Sequence, residues 1–304
     1  MTNADNTDRR RLYLKSIAAT CPDLTIKSGA FFRAGQNNDL LLVNDDLLFR
    51  FPKYARGAAA LRREQAILDA VGPRLPTESP HYIFHTPNEA KLGRAFVGYR
   101  KLAGEALWPE KFAQIEDDRT IDRLAVDLAT FLKTLHAIPP QAIDYPLKPA
   151  ETQAAWSKVF ARIRRVVYPH LNAEARDWTE GQFVPFLENA DSFDYADVLR
   201  HGDFGASNIL YSEGSQRITG IVDFGHAGVG DPAVDFAGLC VCYGEEFLQR
   251  CARVYPRINR CWERIRFYAG CAFLLEDALF CTENNTEEKD EVIDEVNRRA
   301  ADGC

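Results

Sequence analysis

Between Val198 and Asp223 a stretch of strand character interrupts a region otherwise patterned for helices, and this island most constrains how the chain can fold. Its apolar runs Asn208-Ile209-Leu210-Tyr211 and Ile218-Thr219-Gly220-Ile221-Val222 flank the turn-forming Ser212-Glu213-Gly214-Ser215, as in a hairpin whose ends carry polar residues. Helical periodicity surrounds it, at Ile121 to His136, Gln153 to Tyr168 and Ala173 to Asn189. Asp231-Pro232 then supplies an N-cap and first-turn pair for a helix through Leu239, with three further helices after it.

The first hundred residues read differently. A short helix from Asp8 to about Thr20 precedes three strand-like runs, Leu24 to Arg33, Leu40 to Val43 and Leu47 to Phe51, separated by turn-forming Gly35 to Asp39 and Asn44 to Asp46. A helix rich in Ala, Leu, Arg and Glu spans Gly57 to Val71, and His81 to His85 and Ala95 to Leu102 add two strands. The expected organisation is α+β, with a small β-rich lobe over residues 1–102 and a larger helical lobe over 103–304.

Composition narrows the function classes. Forty-four acidic residues against 37 basic ones give a net charge of −7, so no general positive field exists to hold nucleic acid or an anionic membrane. No uncharged apolar run approaches the ~20 residues of a membrane span, and the N-terminus is polar, so the expectation is a cytoplasmic protein. A monomer is the expected state. The eight cysteines include no C-x-x-C pair and read as small buried hydrophobes in a reducing compartment. His81 and His85 are spaced as ligands only on a helix, and Pro80 with Tyr82-Ile83-Phe84 favours a strand.

Chemistry concentrates on the hairpin island, which holds His201-Gly202-Asp203-Phe204-Gly205-Ala206-Ser207-Asn208 and, twenty residues after Asp203, Asp223-Phe224-Gly225. Two carboxylates and an amide at strand ends suit phosphoryl transfer, where the protein needs only to position a hydroxyl and hold Mg²⁺. Asp203 can accept the hydroxyl proton, and Asn208 and Asp223 are hard oxygen ligands for Mg²⁺. Each residue alone is an ordinary turn former; the set in this order is not.

The His-Gly-Asp segment followed four residues later by Asn, then by Ile-Val-Asp-Phe-Gly, resembles the catalytic loop and metal-binding aspartate of the aminoglycoside phosphotransferases, a branch of the bilobal protein-kinase-like fold. The resemblance runs over nearly the whole chain and is closest to the 2''-phosphotransferase group, through the Phe-Pro-Lys strand end and the Asp-Phe-Gly-x-Ala-x-x-x-Asp-Pro stretch. It implies ATP or GTP as co-substrate, Asp203 as base, His201 as an orienting residue, and Asn208 and Asp223 as Mg²⁺ ligands. Asp231 and Asp235 match a D-P-x-x-D segment in which both acids look structural.

In the small lobe the family's usual lysine position falls on Arg50, with Glu64 as its helix partner and Lys53 as the rival cation on the opposite strand face. A similar Phe-Arg-Phe-Pro segment is expected in related phosphotransferases, so Arg50 is not read as inactivating. No G-x-G-x-x-G is present; Gly35 lies in the turn that would cover the phosphates, and the backbone of Tyr99, Arg100, Lys101 and Leu102 would hold the base.

The resemblance implies an aminoglycoside antibiotic as acceptor, and fifteen acids against nine bases after position 230 suit a polycationic substrate. Glu245, Glu246, Glu276 and Asp277 are the residues expected around its amino groups, although seven of the fifteen acids lie in what reads as a solvated terminal helix. Gly244-Glu245-Glu246 is also shared with macrolide phosphotransferases, so a macrolide or a small metabolite is the alternative acceptor. A nucleotide-binding scaffold without catalysis is a third reading, opposed by the intact Asp203, Asn208 and Asp223.

Overall fold

The computed structural model describes residues 3–34, 38–54, 57–86 and 89–303. The chain forms two compact units, one of Met1–Ala106, Gln141–Pro146 and Asn208–Ala227, the other of Leu107–Pro140, Leu147–Ser207 and Gly228–Cys304. The island, expected whole within 103–304, is thus divided: its hairpin from Asn208 onward groups with the first unit, and Val198 to Ser207 with the second. The reason is backbone pairing: β6 (Glu105–Ala106) pairs with β8 (Ile209–Ser212), which pairs with β9 (Arg217–Ile221), and Ile221 N donates to Glu78 O at 2.9 Å.

The main sheet of the first unit joins β1 (Gly29–Ala34), β2 (Asn38–Val43), β3 (Leu47–Pro52), β5 (Val97–Arg100) and β4 (Phe84–His85) in that order, every neighbour antiparallel. The central β3 is buried along its whole length. Its period-two alternation gives its faces different work. Leu47, Phe49 and Phe51 pack with Leu41, Val43 and Phe96 and with Tyr13 and Ile17, which stand one turn apart on α1 (Asn3–Thr20). The alternate residue Arg50 reaches Glu64 on α2 (Gly57–Val71).

Three expected strands are shorter than the runs that suggested them, Ala95 to Leu102 among them, of which only Val97–Arg100 is strand. Leu24 to Ser28 forms no strand: Asn44 N donates to Ser28 O at 3.2 Å, and the Asn44 side chain takes further backbone groups, Oδ1 accepting from Lys27 N and Ser28 N and Nδ2 donating to Thr25 O. Of His81 to His85 only Phe84 and His85 meet β5, opposite Gly98 and Val97. Among the described residues the cysteines are free thiols.

In the second unit, after the short α3 (Pro109–Phe112), three helices start at polar caps. Asp117, Thr152 and Asn172 accept backbone N–H groups at the heads of α4 (Asp118–His136), α5 (Gln153–Val166) and α6 (Ala173–Glu188). The buried face of α4 carries Leu124, Leu128, Leu132 and Leu135 at helical spacing. The strands β7 (Val198–Arg200) and β10 (Gly228–Gly230) pair antiparallel. Past β10, α7 (Ala233–Ala252) runs well beyond the expected Leu239, across a kink at Gly244. α8 (Trp262–Phe267), α9 (Phe273–Asn284) and α10 (Lys289–Asp302) complete it. Phe186 of α6 stacks on Phe267 of α8, and Trp156 of α5 meets Phe183 and Phe267 edge-on. No helix is long and apolar enough to cross a membrane among the described residues.

Phe51 is fully buried and stacks on Tyr13 with ring centroids 4.0 Å apart. Phe51→Ala is therefore expected to cost about 3–5 kcal/mol, read as a lowered urea midpoint at unchanged slope; a loss below about 1 kcal/mol would show that this sheet face does not carry the unit's stability.

Candidate active-site residues

Arg50 sits on the central strand, where its guanidinium is almost fully buried and must be neutralised by contacts. Nη1 donates to Glu64 Oε1 at 2.7 Å and to Tyr82 Oη at 3.2 Å, and Nη2 donates to Asp223 Oδ1 at 3.0 Å. Burial would lower the Arg50 pKa, but the charge of Glu64 leads a set of neighbours that raises it well above its ordinary value. The fork carries more N–H donors than these three contacts use. Tyr82, which the sequence shows only as one aromatic in a strand-like run, is the unforeseen third member. Burial and the charge of Glu64 push its hydroxyl pKa far up, so it stays neutral and polar.

Asp223 adopts a left-handed conformation with φ of 62°, a region that costs most non-glycine residues strain and that Asp tolerates better. The turn lets its Oδ1 accept from Gly225 N at 3.3 Å as well as from Arg50. Its side chain is nevertheless 45% exposed, so the carboxylate also faces solvent. Val222 N donates to Asn208 O at 2.9 Å, which sets Asn208 and Asp223 at the same end of the hairpin. Both offer oxygen donors, the chemistry Mg²⁺ requires, with waters and phosphates completing the shell. Arg63, on the turn of α2 beside Glu64, donates to Gly225 O and braces that loop.

The other small-lobe candidates are placed as follows. Lys53 lies on the opposite strand face from Arg50, as alternation required, with Nζ 3.7 Å from Asp39 Oδ1. Asp39 also accepts from Tyr13 Oη at 2.7 Å and Arg9 Nη1 at 3.0 Å. Tyr99 is buried with its ring 5.7 Å from Tyr82. Arg100 pairs with Asp46 at 3.1 Å, Lys101 N donates to Asp46 O at 2.8 Å, and Leu102 closes on Gly220. Gly35 lies outside the described residues.

In the second unit the His201-Gly202-Asp203 segment is held by a single carboxylate. Asp235 Oδ2 accepts from His201 N at 2.8 Å and lies 3.0 Å from His136 Nε2, while Oδ1 accepts from Gly202 N at 2.7 Å. Two successive amides reach one carboxylate because Gly202 takes φ of 81°, open to glycine at no steric cost. Asp203 N then donates to His201 Nδ1 at 3.3 Å, and the buried imidazole stands edge-on to Phe204. Upstream, Arg200 makes a buried two-pronged pair with Glu151, which also accepts Asp231 N at 3.1 Å. Asp231 accepts Ala233 N at 2.9 Å, Arg264 Nε at 2.7 Å and Tyr268 Oη at 3.0 Å.

The expected acceptor-binding acids are on the surface and already paired in part. Glu245 meets Arg266 at 3.2 Å and Glu246 meets Arg250 at 3.3 Å, both just past the Gly244 kink. Glu276 and Asp277 are adjacent, exposed positions on α9. Sequence reasoning missed Glu151 and His136. Only His136 left a signal, a polar residue at a core position of the α4 pattern; Glu151 lies 49 residues from Arg200 with nothing periodic to join them.

Residues 28–268 match the profile of the phosphotransferase enzyme family. A viomycin phosphotransferase of Streptomyces vinaceus is 28% identical over 190 residues, 58% of this chain and 63% of its own length, so the match spans less than two thirds of that relative. An aminoglycoside 3'-phosphotransferase of Escherichia coli is 27% identical over 202 residues, 64% of this chain and 69% of its own. The solved GDP and kanamycin complex of APH(2'')-IIIa is 26% identical and superposes with a TM-score of 0.86, covering 96% of this chain and 99% of that one. The α+β kinase-like fold expected from the sequence is the fold they share.

Two outcomes follow from the buried charges. Glu64→Ala removes the main partner of Arg50 and should cost about 3 kcal/mol or more in denaturant unfolding; an unchanged midpoint would mean that Asp223 and Tyr82 suffice. Burial would raise the Asp235 pKa, but the hydrogen bond and charge of His136, aided by His201 and Arg200, hold it below the ordinary range. A carboxylate depressed in the folded state adds stability above its unfolded value of ~3.9 and loses it as pH falls through the folded one. Asp235→Asn should therefore flatten the stability decline below about pH 4, checked by urea titrations across that range.

Proposed function

Because the chain belongs to the phosphotransferase enzyme family, we propose that it moves the γ-phosphate of ATP or GTP to a hydroxyl of an aminoglycoside antibiotic. The observation that carries this reading is the buried Arg50, bonded to Glu64 at 2.7 Å and to Asp223 at 3.0 Å. A strand cation tied to a helix carboxylate and to a metal-side aspartate is the arrangement a nucleotide phosphate clamp needs. Arginine in place of lysine keeps the charge and adds a fork able to serve carboxylates and phosphate oxygens together.

Asp203 accepts the proton of the attacking hydroxyl as its oxygen bonds to the γ-phosphorus and the nucleoside diphosphate leaves. His201 and the two Asp235-bound amides keep the Asp203 backbone in place. Asn208 and Asp223 would hold Mg²⁺, which neutralises phosphate charge when bound. Lys53, beside Asp39, adds positive charge for the phosphates, and the backbone of Tyr99 to Leu102 receives the base. Glu245, Glu246, Glu276 and Asp277 attract the amino groups of the acceptor, which compete with Arg266 and Arg250 for the first two. The APH(2'')-IIIa structure with GDP and kanamycin supports a nucleotide and an aminoglycoside as ligands.

The test is nucleoside diphosphate release with Mg²⁺, ATP or GTP, and a panel of aminoglycosides, macrolides and small amino alcohols. Stimulation by aminoglycosides, with product mass raised by one phosphate, is expected. Asp203→Asn should lower turnover roughly 10²-fold or more while the KM for nucleotide stays near wild type. Turnover only with macrolides or amino alcohols would overturn the acceptor assignment, and an active Asp203→Asn protein would remove Asp203 from its role.

A further inference from the structure

One face of the first half of α7, before the Gly244 kink, follows the Asp203-bearing loop. Asp235, Gly238 and Cys242 stand at i, i+3 and i+7 and so share that face. Asp235 holds the amides of His201 and Gly202, before Asp203. Gly238 lies against the backbone just after it: a Cβ there would come 2.6 Å from Phe204 O and 3.0 Å from Phe204 C. The sulfur of Cys242 accepts the amide of Ala206 at 3.2 Å and lies close to Gly205. Three successive turns of helix thus meet three successive stretches of loop, on both sides of Asp203.

We propose that α7 is a template that sets the position of Asp203, with the bare backbone of Gly238 allowing the approach and Cys242 acting as a positioning residue for phosphoryl transfer. The inference rests on the phosphotransferase reading for its consequence, but not for its geometry. A thiol suits the task because it is small, tolerates burial and accepts weakly. Burial pushes the Cys242 thiol pKa up, so it stays neutral and presents sulfur lone pairs without a charge beside Asp203. Phe204, stacked on Phe131 with centroids 5.5 Å apart, closes the loop's other side, so the loop is held between α4 and α7.

The test compares Cys242→Ala, which deletes the acceptor, with Cys242→Ser, which keeps one. Peptide-level hydrogen exchange over residues 201–208 should quicken up to about tenfold in Cys242→Ala, the equivalent of one net hydrogen bond, at a little-changed melting temperature. Cys242→Ser should restore the protection. With the acceptor identified, kcat should fall about tenfold in Cys242→Ala and recover in Cys242→Ser, while the KM for nucleotide stays within about twofold. Unchanged exchange would overturn the template, and faster exchange with wild-type kcat would overturn the positioning role. If the wild-type protein turns over no acceptor at all, the phosphotransfer reading fails, and the exchange comparison still upholds or overturns the template.

Discussion

The buried carboxylate of Asp235 is the constraint on which the second unit's chemistry depends. Removed from water, it must find partners for both oxygens, and it takes two consecutive amides and an imidazole. That demand turns the chain at Gly202 and defines where residue 203 begins. Because every member is satisfied inside a low-dielectric interior, each hydrogen bond is stronger and the loss of any one is costly. The Glu151–Arg200 pair and Asp231 extend the same logic on either side, tying β7 and the start of α7 together through charged groups rather than apolar ones.

In the first unit the sign is reversed. There a cation is buried in the middle of a sheet, and the alternation of β3 separates it from the aromatic face that supplies stability. A pair such as Arg50–Glu64 contributes little net stability, since desolvation offsets most of its Coulomb gain, yet it leaves few geometries for the charged groups. Phe49, Phe51 and Tyr13 hold the sheet, and Arg50, Glu64, Tyr82 and Asp223 spend some of that stability on a fixed arrangement of charge. This division explains how a strand with an arginine at its centre remains fully buried.

Much of this was legible in the sequence because it is written locally. The hairpin island, the helical runs and the α2 pattern all follow from period and turn chemistry over a few residues. The Arg50 and Glu64 pairing followed from the family resemblance, and the opposite placement of Lys53 from strand alternation. The expected strand from Leu24 was too long because a side chain, Asn44, satisfied the backbone that a neighbouring strand would have paired. The lobe boundary near residue 102 differs from the compact units because β6 pairs with a strand a hundred residues on.

The sequence by itself determined the element types, the order Asp203, Asn208, Asp223, and the residue classes that phosphoryl transfer requires, since these depend on spacing and on what each side chain can donate or accept. Only the tertiary structure decided who satisfies whom. Tyr82 reaching Arg50, Glu151 reaching Arg200, His136 reaching Asp235 and Cys242 reaching Ala206 are contacts between residues 32 to 99 positions apart. No local pattern encodes them, because a buried polar group takes the partner that folding brings within about 3 Å, however distant that partner is along the chain.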